Sequence, residues 1–125
     1  MSKRILDVGN CGPDHAAIRN FLTRTFDCEV EQVDDAAEAF AALNRQPFDL
    51  VLVNRKLDID YSDGIDVIRA LKADPTTAAV PVMLVTNYPE HQEVAVAAGA
   101  VLGFGKLEFG KQETRDRLAA VLGDA

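Results

Sequence analysis

The stretch Phe48–Leu57, FDLVLVNRKL, decides the fold because it reads as a buried strand with a polar tip. Its centre, from Leu50 to Val53, is an uninterrupted apolar run that passes directly into Asn54. Such a run is typical of a strand covered on both faces, as in a parallel sheet flanked by helices. The stretch therefore predicts a central strand of an α/β sheet with an amide at its carboxyl end.

Strand-like and helix-like segments alternate along the whole chain. Four more short apolar runs are found, at Ile5 to Val8, Val30 to Val33, Val80 to Val85 and Val101 to Phe104. Apolar residues at helical spacing lie between or after the runs: Ala17, Ile18, Phe21 and Leu22; Ala36, Ala39, Phe40 and Leu43; Gly64, Val67, Ile68 and Leu71; Val94, Ala97 and Ala98; Leu118, Val121 and Leu122. Five alternations predict a doubly wound, five-stranded parallel sheet with right-handed crossovers.

Several helix starts carry their own signals. Pro13 and Pro89 suit first helical turns, where a missing N–H costs nothing. Asp35 with Glu38 resembles an acidic capping box. Asp63 is expected to cap the third helix.

The composition of the chain excludes several classes of protein. The chain has 125 residues, is 48% hydrophobic and has a net charge of -7, so we expect one domain over 1–125 and no direct contact with nucleic acid. Its two cysteines do not make a disulfide scaffold, and no apolar run is long enough for a signal segment or a membrane span. We therefore expect a cytoplasmic protein that does not contact a membrane.

The topology predicts where a functional site lies. In a doubly wound sheet, ligands bind beyond the carboxyl ends of the strands. The residues that follow the strands should therefore converge: Gly9, Asn10, Asn54, Arg55, Thr86, Asn87, Gly105 and Lys106.

Four segments of the chain, KRILDVGN, FDLVLVNRKL with the following SDG, VPVMLVTN and AGAVLGFGK, resemble the successive blocks of response regulator receiver domains. The resemblance covers the full length. It implies a CheY-like, flavodoxin-like (βα)5 fold with strand order 2-1-3-4-5. It also implies two-component signal transduction, in which an aspartate accepts a phosphoryl group from a histidine kinase.

The resemblance also assigns positions. It implies that Gly9 and Asn10 stand at the family's acidic pair, Asn54 at the phospho-acceptor, Thr86 at the hydroxyl position, Phe104 at the aromatic switch and Lys106 at the pocket lysine. An amide cannot form an acyl phosphate, and Mg²⁺ prefers carboxylate ligands. We therefore expect a pseudo-receiver without catalytic residues, cofactor or Mg²⁺. An engineered Asp-to-Asn change would explain Asn54 alone, but not the two other departures.

Lys106 needs an acceptor once the carboxylates are gone, because an unpaired buried ammonium is costly. Asn54 Oδ1 is the nearest candidate by position, and Asp7 in the first strand is another. Two other environments stay open for Asp7: a solvated end of the sheet, or an ion pair with Arg4. Leu107 replaces the family's proline, so a trans peptide bond is expected after Lys106.

The favoured function is phosphorylation-independent binding of a protein partner. The resemblance places the partner face on the fourth helix, fifth strand and fifth helix, about Pro89 through Leu122, with His91, Gln92 and Phe109 as exposed contacts.

Two alternatives stay open. One is an active phosphorelay receiver that uses Asp58, Asp60 or Asp7 in place of the matched position. The other is a small-anion sensor, because Lys106, Thr86, Arg55 and the helix start after Gly12 would make a donor-rich pocket. The two acids Asp58 and Asp60 also suit a solvated loop.

Overall fold

The computed structural model describes residues 2–123, in which five strands and five helices alternate. In chain order they are β1 (Lys3–Val8), α1 (Gly12–Thr25), β2 (Cys28–Val33), α2 (Ala36–Arg45), β3 (Leu50–Asn54), α3 (Gly64–Ala73), β4 (Val82–Val85), α4 (Pro89–Ala97), β5 (Val101–Phe104) and α5 (Gln112–Leu122). The strands form one parallel sheet in the order β2-β1-β3-β4-β5. The predicted fold and strand order are confirmed. None of the helices in the described residues is long and apolar enough to cross a bilayer.

The sheet separates two apolar clusters, as expected of strands buried on both faces. Alternate residues of β1, such as Leu6 and Val8, join side chains from α2 and α3 on one face. Ile5 joins α1 and α5 residues on the other face, which also contains Leu52 and Met83. The centre of the sheet is therefore dry, and polar side chains are accommodated mainly at its ends.

The element boundaries differ in small ways from those predicted. β4 begins at Val82, since Pro81 has no N–H to donate and the Val80 N–H is used in the preceding turn. The Asp35 carboxylate accepts a hydrogen bond from the Glu38 N–H at 2.9 Å. The Glu38 carboxylate accepts from the Asp34 N–H at 2.8 Å, one residue before the N-cap. Asp63 occupies the N-cap position of α3, as predicted, but the expected capping bond from its side chain is wrong.

The carboxylate of Asp63 makes no capping hydrogen bond to α3. It lies instead 3.4 Å from Lys56 Nζ, and the two residues form an isolated antiparallel bridge across the loop. This bridge closes the loop between β3 and α3.

The stripe predicted for α4 is wrong. Val94 and Ala97 are exposed, and the buried residues of α4 are Gln92 and Ala95. The reason is that the Gln92 side chain hydrogen-bonds to the backbone of β4 and β5, which turns the valines outward. Ala17 of α1 is likewise exposed rather than packed against the sheet.

Three phenylalanines pack together beneath the end of β5. Phe104 is 0% exposed, and its ring centroid lies 6.3 Å from that of Phe21 and 6.2 Å from that of Phe109. Phe109 stacks on Phe21 at 4.8 Å. Phe104 thus acts as a core residue that connects β5 to α1 and to the loop before α5.

Replacing Phe104 with alanine should lower the free energy of unfolding by about 3–5 kcal/mol, because it leaves a cavity that the neighbouring rings cannot fill. Urea denaturation followed by circular dichroism measures the loss. Leu107→Ala is the control: Leu107 is 82% exposed, so its loss should be under about 0.5 kcal/mol. Equal losses in the two variants would contradict the assignment of Phe104 to the core.

Candidate functional site

The carboxyl ends of β3, β4 and β5 converge on a small pocket, as predicted. Its volume is about 200 Å³, and it is lined by Asn54, Arg55, Lys56, Val85, Thr86, Asn87, Tyr88 and Lys106. Gly9 and Asn10 do not line it, although Asn54 Nδ2 reaches the Gly9 carbonyl oxygen at 3.5 Å. The site is therefore assembled mainly from the ends of three strands.

Lys106 lies at the centre of the site and has two acceptors. Its ammonium donates to Asp14 Oδ2 at 2.8 Å and to Asn54 Oδ1 at 3.2 Å. Asn54 was one of the two candidate acceptors named from the sequence, the other being Asp7. The sequence analysis missed Asp14, although an acid in the first turn of α1 lies at the same sheet edge as the strand ends.

The other side of the Asn54 amide is also occupied. Asn54 Nδ2 donates to the carbonyl oxygen of Lys56 at 2.7 Å. With its oxygen on Lys106 and its nitrogen on the backbone, the amide holds the end of β3 against the following loop. This arrangement uses the donor and the acceptor of an amide, which a carboxylate at this position could not reproduce.

Asp7 forms a separate buried cluster under α1. Its side chain is 0% exposed, with Oδ2 at 2.7 Å from His15 Nδ1 and Oδ1 accepting from Asn10 Nδ2 at 2.5 Å. The expectations of a wet sheet end and of a pair with Lys106 or Arg4 are therefore wrong. Arg4 lies instead 3.4 Å from Glu29. No local pattern pointed to His15, because its contact with Asp7 depends on how α1 crosses the sheet.

The pKa values of two carboxyl groups in this region are shifted in opposite directions. Burial raises the pKa of Asp7, although the hydrogen bonds from His15 and Asn10 act the other way. The hydrogen bond from the Lys106 ammonium lowers the pKa of Asp14. The lowered pKa keeps Asp14 ionised at neutral pH.

The residues present do not fit the Mg²⁺ ion that the family resemblance implies. Gly9 has no side chain, and Leu57 fills the space that a Cβ at Gly9 would occupy. Asn10 turns towards Asp7, and the Asn54 oxygen accepts from Lys106. Among residues 2–123, no three His, Cys, Asp or Glu side chains are grouped to hold a metal ion.

The wall formed by β4 and α4 contains Thr86, whose hydroxyl accepts from the Tyr88 N–H at 3.3 Å and lies 3.5 Å from His91 Nδ1. Gln92 is 7% exposed, so its predicted role as an exposed contact is wrong. Its amide donates to the Leu84 carbonyl oxygen at 2.9 Å. His91 and Phe109, the other two predicted contacts, are half-buried.

The two loop aspartates considered as alternative phosphoryl acceptors lie outside the pocket. Asp58 and Asp60 are exposed and do not line the pocket, and Asp60 accepts from the Ser62 hydroxyl. No cis peptide bond occurs in the described residues, so the bond after Lys106 is trans, as predicted. The Leu107 N–H donates to Asn87 Oδ1 at 3.1 Å.

We expect the Asp7 carboxyl to titrate above its ordinary pKa of 3.8 and the Asp14 carboxyl below it. Carbon-detected NMR of the carboxyl groups across a pH series measures both midpoints. Lys106→Met should raise the pKa of Asp14, since it removes the ammonium, while Asp7 stays above 3.8. A midpoint for Asp7 below that of Asp14 would show that the two environments are wrongly described.

The same shifts give opposite pH dependences of stability. Because the pKa of Asp7 is raised in the folded state, its ionisation lowers the free energy of unfolding as the pH rises from 3.8 through the folded-state pKa. With its pKa lowered, Asp14 contributes stability above 3.8 that is lost as the pH falls through its folded-state pKa.

The comparisons with known proteins agree with this architecture. A gliding motility regulatory protein from Myxococcus xanthus is 28% identical over 100 residues, which make up 78% of this chain but only 13% of that protein. This chain thus spans a small part of that relative. A structure from Chloroflexus aurantiacus described as a response regulator has a TM-score of 0.81 at 18% identity, covering 98% of both chains. The chemotaxis protein CheY4 of Vibrio cholerae has a TM-score of 0.71 at 20% identity, covering 98% of this chain and 97% of its own.

These two structural neighbours share the fold. Membership of a family is shown by the sequence itself, because the profile of the response regulator receiver domain matches residues 13–119. The matched range includes the ends of β3, β4 and β5, which form the pocket. The protein therefore belongs to the family of response regulator receiver domains.

Proposed function

We propose that this chain is a pseudo-receiver, a receiver domain that binds a protein partner without accepting a phosphoryl group and without catalysing a reaction. The observation that carries the proposal is the environment of Asn54. Its oxygen accepts from Lys106 and its nitrogen donates to the backbone of the next loop. An amide held in this way is a structural group and a poor nucleophile.

The surroundings of Asn54 support the same conclusion. Phosphoryl transfer to an aspartate requires negative charge at the acceptor and a metal ion to neutralise the transferred group. Among residues 2–123, the one carboxylate that bonds to Lys106 is that of Asp14, which comes from a helix rather than from a strand end. Asp7 is buried and already bonded to His15, so it offers no free oxygen to a phosphodonor.

The surface of α4 and β5 supports a role in protein binding. A groove of about 690 Å³ runs beside α4, and its lining includes Val96, Ala97 and Leu102. Val96 is 45% and Leu102 43% exposed, which leaves apolar area that a partner would cover. Glu108 and Arg117 also line the groove and would form a polar rim. We place the partner site on this face.

A small phosphodonor such as acetyl phosphate, added with Mg²⁺, should leave the intact mass of the protein unchanged. Asn54→Asp should also remain unmodified, because Gly9 and Asn10 supply no carboxylates for a metal ion. A phosphorylatable receiver domain in the same reaction is the positive control. Stable addition of one phosphoryl group to the wild-type chain would refute the proposal.

Val96→Asp should weaken partner binding at least tenfold, a loss of about 1.4 kcal/mol, because it places a charge in the apolar groove. The measurement is quantitative capture from a lysate of the source organism with the protein as bait. Ile59→Asp is the matched control, because Ile59 is 56% exposed in the loop between β3 and α3 and does not line the groove.

Acetyl phosphate and Mg²⁺ should not change the amount of partner captured, since the proposed binding is independent of phosphorylation. Circular dichroism confirms that both aspartate variants fold. Equal capture by Val96→Asp and Ile59→Asp would place the partner site elsewhere on the molecule.

A further inference from the structure

We propose that Asp7 and His15 form a proton-operated latch, which holds the start of α1 against the sheet while the pair carries a proton and releases it when that proton is lost. Neither residue lines the pocket at the ends of β3, β4 and β5. The proposal therefore concerns a regulatory contact beside the pocket, and it does not depend on a protein partner.

The first residues of α1 have little apolar contact with the sheet. None of the residues 12–17 is buried, and the first buried residue of the helix is Ile18. The N-cap residue, Cys11, makes no side-chain capping bond, so it does not satisfy the free N–H groups of the first turn. The start of α1 therefore lacks both an apolar anchor and a side-chain cap.

Polar contacts take the place of that anchor. Within residues 2–123, two side-chain hydrogen bonds join the start of α1 to other elements, His15 to Asp7 at 2.7 Å and Asp14 to Lys106 at 2.8 Å. The Cys11 thiol donates to the same Asp14 carboxylate. Because the Asp14 side chain is 45% exposed, water screens its ion pair with Lys106. The buried contact of His15 with Asp7 is therefore the main attachment of the helix start.

The surroundings of Asp7 make this contact sensitive to protons. The charged groups that act on the fully buried carboxyl are His15 from α1 and Lys106 from the loop after β5. Its neighbours in β2 and β3, Gln32 and Leu52, are uncharged. In the part of the chain that the structure describes, the His15 ring is the one titratable group bonded to the Asp7 carboxyl. The charge of the pair is therefore set by the protons that these two groups hold.

One proton makes the pair of Asp7 and His15 neutral in total, whether the carboxyl or the ring carries it. When that proton is lost, an ionised carboxylate remains in the dry sheet opposite a neutral ring, and burial disfavours this state. Opening the start of α1 gives the carboxylate access to water and removes the penalty. Rising pH therefore favours the open form.

The pKa of Asp7 agrees with this direction. Burial is the largest influence and raises the pKa, although the hydrogen bonds from His15 and Asn10 oppose it. A carboxyl with a raised pKa binds its proton more tightly in the closed form than in the open form, where its ordinary pKa is 3.8. The closed form is thus favoured at low pH and loses this advantage as the pH rises from 3.8 through the raised pKa. Asn10 Oδ1, which is buried without a donor among residues 2–123, also gains access to water on opening.

Opening of the latch reaches the pocket through Asp14. This residue precedes His15 in α1, and its carboxylate accepts from Lys106. The hydrogen bond from Lys106 lowers the pKa of Asp14, so Asp14 stays ionised over the range in which Asp7 titrates. Loss of the proton from the latch therefore moves an ionised carboxylate away from Lys106 and leaves its ammonium without a negative partner.

Native-state hydrogen exchange, followed by proton–nitrogen NMR between about pH 4 and pH 8, tests the proposal. Protection of each amide is expressed relative to an unstructured peptide at the same pH. We expect the protection of the His15, Ala16 and Ala17 amides to fall as the pH rises, by up to about tenfold per pH unit, the limit for one proton. The amides of Leu50 and Leu52 in β3 should be protected more strongly at every pH, since they exchange only by global unfolding. Protection of the α1 amides that does not change with pH would overturn the proposal.

Asp7→Asn separates titration from structure, because the amide keeps an acceptor for the His15 ring but cannot ionise. The fall of protection with pH should disappear in this variant. If Asp7→Asn lowered protection but kept the same dependence on pH, the contact would be structural only and the proposal would be wrong. Circular dichroism establishes that the variant is folded.

Two further variants serve as controls. Asp14→Asn breaks the other polar contact of the helix start, so it should lower the protection of the α1 amides by the same factor at every pH in the range. His91→Gln removes the second of the two histidines in the chain, which lies beside Thr86, and should leave the α1 profile unchanged. Loss of the pH dependence in His91→Gln would assign the titration to another group and refute the latch.

Discussion

The hydrogen bonds of the Lys106 ammonium are the interaction on which the rest of the site depends. They join the end of β5 to Asp14 on α1 and to Asn54 at the end of β3. A partly buried ammonium without an acceptor would be unfavourable, and no carboxylate is among the residues that line the pocket. The carboxylate that accepts from Lys106 comes from the first turn of α1. Asp14 therefore supplies the negative partner of the lysine.

A second polar cluster, beneath α1, explains why this helix can serve that role. Asp7, fully buried in β1, is bonded to His15 on α1 and to Asn10 in the preceding turn. These contacts attach the start of the helix to the sheet through polar groups in addition to the apolar contacts of Ile18 and Leu22. A hydrogen-bonded carboxylate in a dry sheet also fixes orientation, because its partners must lie in particular directions. The start of α1, and hence Asp14, is held close to Lys106.

Side-chain amides take structural positions at two places in the molecule. At the pocket, the Asn54 amide joins Lys106 to the loop after β3. At the α4 surface, the amide of Gln92 takes the buried position and leaves Val96 facing outward. The apolar clusters on the two faces of the sheet stabilise the fold without either amide.

The sequence by itself determined the fold and the composition of the pocket. Five apolar runs separated by helical patterns are sufficient to predict the parallel sheet, and strand ends in such a sheet meet at one edge, which brings Asn54, Thr86 and Lys106 together. The tertiary structure alone decided the pairing of charges. Asp14 and His15 reach Lys106 and Asp7 only because α1 crosses the sheet at a particular position, and Gln92 is buried only because unpaired backbone groups of β4 and β5 lie beneath it. Apolar periodicity is a local property that a sequence displays, whereas the partner of a polar group depends on residues far away in the chain.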